Sequence, residues 1–203
     1  MPVLPTESKE PPIIKVHAQQ LMLYALLASL SVLFIGLSVA YLFAKGNWHW
    51  AQFSFPRAFI VSSLALAASS YTMQQTVNAH KLHHEKQLLT MMALTLGFTL
   101  LFITGQLLGW YELYCKGIYI AGKPDGSYLY LLSGLHILHV LAGLGILLFL
   151  YANTRKCLSD PVQKVFYFVE THYGRRLAMT ATYWHFVDIL WLYLLVFFLL
   201  NHW

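Results

Sequence analysis

Long apolar runs, broken by short polar segments, organise this sequence more strongly than any alternation of polar and apolar positions. Residues 18–44, 58–79, 87–111 and 126–154 contain no Asp, Glu, Lys or Arg, and 177–201 contains a single one, Asp188. A helix needs about 20 predominantly apolar residues to cross the hydrocarbon of a bilayer, where an unpaired backbone amide or an ion finds no partner. The five runs therefore predict an all-α integral membrane bundle of five transmembrane helices. They form one domain over 18–203 behind a flexible cytoplasmic tail at 1–17. That tail carries Glu7, Glu10 and several prolines ahead of any apolar run, the wrong order and charge for a cleaved secretory signal.

The second run is the least apolar. It carries Ser62, Ser63, Ser69, Ser70, Thr72, Gln74 and Gln75, small polar residues that let helices approach closely and hydrogen-bond to one another. It is expected to face protein more than lipid. Connections marked by Trp48, Trp50, Pro56, Pro124 and Gly126 separate the runs, and the aromatic cluster from Trp48 to Phe55 suits the headgroup region. The longest connection, 155–176, is partly aromatic and is expected along the interface.

Composition agrees with a membrane chain: 58% of the 203 residues are hydrophobic and only 10% are charged. The formal charge of +5 comes from Lys and Arg scattered between the runs, which speaks for topology and against nucleic acid as a partner. Five crossings leave Lys9, Lys15, Lys81, Lys86, Arg155, Lys156, Lys164, Arg175 and Arg176 on one side, against Lys45, Arg57, Lys116 and Lys123 on the other. The positive-inside rule then sets the N-terminus in the cytoplasm and Trp203 in the periplasm. The same count separates Cys115 from Cys157 by a bilayer, so they do not pair, and neither sits in a Cys-x-x-Cys motif.

Few ionisable groups lie at membrane depth: His136 and His139 in the fourth run, His185 and Asp188 in the fifth. An ionised Asp near a helix centre costs about 2.5–3.5 kcal/mol on insertion scales, so Asp188 requires a partner or a proton. Helical spacing aligns Trp184, His185, Asp188 and Trp191 on one stripe and His136 with His139 on one face. Three readings stand side by side. The imidazoles and Asp188 form a hydrogen-bonded clasp with one another or with a neighbouring subunit; His136 and His185 ligate a haem; or the group belongs to a proton path. Gln106, Trp110 and the Ser/Thr/Gln face of the second run read as helix packing. His80, His83 and His84 read as a solvated turn beside Lys81, Glu85 and Lys86.

The run Tyr183-Trp184-His185-Phe186-Val187-Asp188-Ile189-Leu190-Trp191 closely resembles the motif near the end of subunit III of haem–copper terminal oxidases. Ser133-Gly134-Leu135-His136-Ile137-Leu138-His139-Val140 resembles that family's small-Gly-x-His-x-x-His element. Leu96-Gly97 with Gln106 and Trp110, Leu27-Ala28-Ser29, and Ala40-Tyr41-Leu42 extend the likeness over roughly residues 20–203. The resemblance is to the short, five-helix bacterial form.

It implies a non-catalytic subunit in the bacterial cytoplasmic membrane with no cofactor of its own, haem and copper residing in the catalytic subunit I against which it packs. Other oxidase subunits, membrane phospholipids and a respiratory supercomplex are the further partners it implies. The complex would reduce dioxygen to water and pump protons, taking electrons from cytochrome c or from quinol. In this reading Gln106, Trp110, His136, His139, Trp184, His185, Asp188 and Trp191 are packing residues. Leu30 and Gly109 stand where the family commonly has glutamate, and 172–183 lacks its usual acid, which argues against proton handling by this chain. The alternative class is a haem- or quinone-binding anchor of another electron-transfer complex. A transporter is disfavoured, because no proline interrupts any run.

Overall fold

The computed structural model describes residues 18–47, 56–121 and 124–201. The expected tail at 1–17, the cluster from Trp48 to Phe55, Lys123 and Trp203 lie outside them. The described residues form six helices: α1 (Ala18–Asn47), α2 (Arg57–Lys81), α3 (Glu85–Cys115), α4 (Pro124–Ser159), α5 (Pro161–Val169) and α6 (Thr171–Asn201). The fold is all-α, as the apolar runs predict.

Four of these helices, α1, α3, α4 and α6, are long and apolar enough to cross a membrane. That makes a multi-pass membrane chain. The 25-residue α2 is long enough, but its serines, threonines and glutamines dilute its apolar character, so composition alone supports four crossings and not five.

The connection at 155–176 is largely helical. Helix α4 runs on to Ser159, Asp160 caps α5 by accepting from the Val162 amide at 2.9 Å, and Pro161 fills the first helical turn, where its missing N–H costs nothing. This short helix turns Val162, Val165, Phe166 and Val169 outward. Tyr167 points inward and shares a hydrogen bond with Thr154 (2.9 Å).

The closest packing is between α2 and α3, joined by a three-residue turn in which His83 adopts a left-handed backbone (φ 56°). A Cβ on Gly105 would meet the Ser62 Cβ at 2.5 Å, and one on Gly109 would meet the Phe59 ring at 2.1 Å. Gly105 and Gly109 thus form a small-xxx-small pair that brings the two backbones together. Helix α6 packs against α2, α4, α1 and α5, whereas α1 touches chiefly α4 and α6. One buried cluster gathers Phe34, Phe59, Phe102 and Trp191. A second, nearer α5, gathers Met73, Met92, Leu147 and Trp184. At the opposite end the Lys45 ammonium donates to the Asn201 carbonyl (2.8 Å) and side-chain oxygen (3.1 Å), tying the C-terminal ends of α1 and α6 together. A cation there also suits the negative end of the helix dipole.

Candidate functional site

Polar side chains at membrane depth gather where α2 faces α6 and α3. Helix α2 buries Ser62, Ser63, Ser69, Thr72 and Thr76, the face expected to meet protein. Each hydroxyl bonds a carbonyl one turn back or a neighbouring helix, so the polar atoms have partners in a medium that offers none.

Tryptophan supplies the bonds between helices. The Trp191 indole N–H donates to Ser63 (2.8 Å) and that of Trp184 to Ser69 (3.3 Å), both from α6 to α2. The Trp110 N–H, on α3, donates to Ser133 on α4 (3.0 Å). Gln106 on α3 is fully buried, and its amide donates to Ser62 at 2.9 Å. An indole presents a large apolar surface with one donor at its edge, and a serine beneath it closes the bond without holding the helices apart.

His185 and Asp188 join the same seam. The His185 Nδ1 lies 2.8 Å from the Ser70 hydroxyl and its Nε2 lies 3.3 Å from the Gln74 side-chain oxygen. The Gln74 oxygen only accepts, so Nε2 carries the proton and Nδ1 receives that of Ser70. The Ser70 hydroxyl also borders the Asp188 carboxyl, but its single proton cannot serve both. Asp188 is 6% exposed, and its Oδ2 is buried with no hydrogen-bond partner.

The two histidines of α4 stand elsewhere. His136 is fully buried beside Trp191 (ring centroids 5.1 Å apart) and edge-on to Phe102 (5.9 Å), with neither nitrogen hydrogen-bonded. His139 donates from Nδ1 to the Leu135 carbonyl of its own helix (2.7 Å) and sits edge-on to Phe34 of α1. The clasp expected among His136, His139, His185 and Asp188 is therefore divided. His185 and Asp188 turn to α2, while the α4 pair turns to aromatic neighbours. The haem reading loses its geometry too, since both nitrogens of His185 are engaged and His136 is walled by aromatic rings.

Beyond the 58–79 segment, the end of α2 differs from the solvated turn expected there. Tyr167 and Phe168 of α5 cover His80, with ring centroids 5.4 and 5.6 Å away. Burial holds its pKa below the ordinary imidazole value, against the raising effect of the Tyr167 backbone, and His83 adds to the lowering. Cys115 is exposed, Cys157 is buried, and both are free. Among the described residues no group of three or more His, Cys, Asp or Glu is placed to hold a metal ion.

Sequence reasoning identified Trp184, His185, Asp188 and Trp191 as one stripe, and the structure turns all four toward α2. It missed that Ser63, Ser69, Ser70 and Gln74 receive them individually. It also read Gly109 only as a missing glutamate, although the Gly105-x-x-x-Gly109 spacing was visible.

Residues 57–203, which hold the whole seam, match the family model described as cytochrome c oxidase subunit III. The chain belongs to that family. Within the subunit III family it is 31% identical over 172 residues to a probable cytochrome c oxidase subunit 3 of Nocardia farcinica, an alignment covering 82% of this chain and 79% of the relative. A probable subunit 3 of Mycobacterium leprae is 34% identical over 130 residues, covering 64% and 59%. The subunit 3 of the cyanobacterium Synechocystis is 29% identical over 171 residues, covering 82% and 68%. Where the resemblance to subunit III leads one to expect acids, this chain packs apolar groups. Leu30 is 6% exposed inside the Phe34–Trp191 cluster, and the place beside Gly109 is filled by the Phe59 ring.

Proposed function

We propose that this chain serves as the non-catalytic subunit III of a proton-translocating haem–copper oxidase, stabilising the catalytic subunit while that subunit reduces dioxygen to water. Membership of the subunit III family carries this reading and does not favour a haem- or quinone-binding anchor of another complex. The chain is a membrane component of respiratory electron transport. Haem and copper belong to the catalytic subunit I in this account, and this chain contributes Gln106, Trp110, His136, His139, Trp184, His185, Asp188 and Trp191 as packing groups.

The topology proposed with it is one transmembrane domain over 18–203 with five crossings, α2 being the fifth. Its N-terminal side faces the cytoplasm of a bacterium and its C-terminal side the periplasm. The Lys45–Asn201 tie supports an odd number of crossings, because it needs α1 and α6 to end on the same side. Burial of the polar face of α2 supports its crossing despite its composition.

Phospholipid is a further proposed partner. A groove of about 860 Å³ between α1, α4 and α6 is lined by Leu26, Ile146, Phe149 and Tyr183 and has Arg176 on its rim, which suits acyl chains below an anionic headgroup.

Purification in mild detergent tests the assignment. The complex should carry haem and consume dioxygen, and the chain stripped from it should show no haem absorbance. Haem retained by the stripped chain would overturn the reading.

A further inference from the structure

Side chains fasten α5 to three other helices. Lys164 pairs with Glu85 of α3, Tyr167 shares a hydrogen bond with Thr154 of α4, and the Tyr167 and Phe168 rings close over His80 at the end of α2. The opposite face of α5, with Val162, Val165, Phe166 and Val169, is exposed, so no described residue holds the helix down from outside.

His80 sits in a tight place. A Cβ on Gly174 of α6 would come within 3.0 Å of its Cε1, so the glycine makes room for the ring. Its Nε2 is buried and has no hydrogen-bond partner among the described residues. A neutral imidazole can leave one nitrogen bare, but the imidazolium carries a proton on both. Protonation therefore places an N–H at Nε2 with nothing to accept it, on a ring that has also become charged, and both are costly under a packed helix.

The surroundings do not offset that charge. Burial weighs most against it, the Tyr167 backbone offsets part of this, and His83 of the turn adds to the opposition. Lys81 and His84 beside it are exposed. The acids of the corner are engaged, Glu85 by Lys164 and Glu170 by His172. Helix α6 otherwise brings Arg175 and the Tyr173 phenol stacked on Tyr167, and α4 the Cys157 thiol beside Tyr167.

We infer that α5 is an acid-released latch: it stays shut over the end of α2 while His80 is neutral and lifts when the ring takes a proton. Lifting opens the imidazole to water and frees the end of the helix that carries the seam. The latch goes beyond the subunit III reading, and the topology proposed with that reading puts it on the cytoplasmic side.

Hydrogen exchange in the purified complex, from about pH 7.5 to about pH 5.5 and corrected for the intrinsic pH dependence of exchange, reads the opening of 161–169. The open fraction should rise below about pH 6.5 by up to about tenfold per pH unit, the limit for one proton, while α3 and the middle of α6 keep their protection. His80→Gln, which does not take the proton, should remove the rise. Glu85→Gln, which releases Lys164, should raise the open fraction at every pH and leave its slope unchanged. A flat open fraction in the parent protein would overturn the inference without any variant having to fold. So would a rise that survives His80→Gln, or one that His172→Gln abolishes. A rise shared equally by α3 and α6 would also overturn it, because that is unfolding of the bundle and not release of α5.

Discussion

Helices α1 and α2 make opposite use of the membrane. The most apolar 18-residue window of α1 has a mean hydropathy of 2.3, yet only 22% of that window is buried, and a polar tie to the bundle runs from Lys45 at its end to Asn201. Helix α2 falls below the hydropathy of a span, yet it meets the tightest glycine contacts among the described residues and receives two tryptophans, a glutamine and a histidine. Lipid tails are as apolar as leucine, so burying leucine against another helix gains little in a bilayer. Close backbones, van der Waals contact and hydrogen bonds do the holding. In this chain the helix that looks least like a span is the one most tightly held.

The sharpest way to break that contrast is to add a single methyl group. Gly105→Ala drives a Cβ into Ser62, where there is no flexible side-chain end to yield, and should cost about 1–3 kcal/mol in thermal or denaturant unfolding in detergent. Gly36→Ala on α1, which has open space around it, should stay within about 0.5 kcal/mol of the parent. Equal effects at the two sites would mean that α2–α3 is no better packed than α1.

Next in size is Ser63→Ala, which leaves the Trp191 N–H without its acceptor and should cost about 1 kcal/mol, within the range measured for bonds between membrane helices. Lys45→Met, at a helix end with water and headgroups near, should cost about 0.5 kcal/mol or less in the same assay.

Smallest is a pH effect at the α2–α5 corner. His80 resists protonation when folded, so the unfolded chain takes up the proton more readily. Stability should be full above the ordinary imidazole range and fall as the pH drops through about 6.5. His80→Gln should flatten that fall, and an unchanged slope in thermal unfolding would show that His80 does not contribute.

Much of this arrangement was legible from residue order. Runs free of charge marked the long helices, and three- and four-residue spacing brought Trp184, His185, Asp188 and Trp191 to one face. The mutual form of the clasp was misdrawn because spacing shows which residues share a helix face but not which helix that face meets. His136 and His139 share a helix with one another but not a partner with His185. The connection at 155–176 was read from its aromatic residues as an interfacial segment, and the Asp160-Pro161 pair that starts α5 is a strong helix signal within it. The cover over His80 depends on α5 folding back onto the end of α2, which no local pattern announces.

The most direct test of the central claim is to strip this chain from the purified oxidase and follow dioxygen consumption per haem over many turnovers. A stabilising, non-catalytic subunit predicts an initial rate close to that of the intact complex, followed by earlier inactivation that re-adding the chain prevents. An initial rate that falls in proportion to the chain removed, with haem content unchanged, would contradict the account and give this subunit a part in the chemistry.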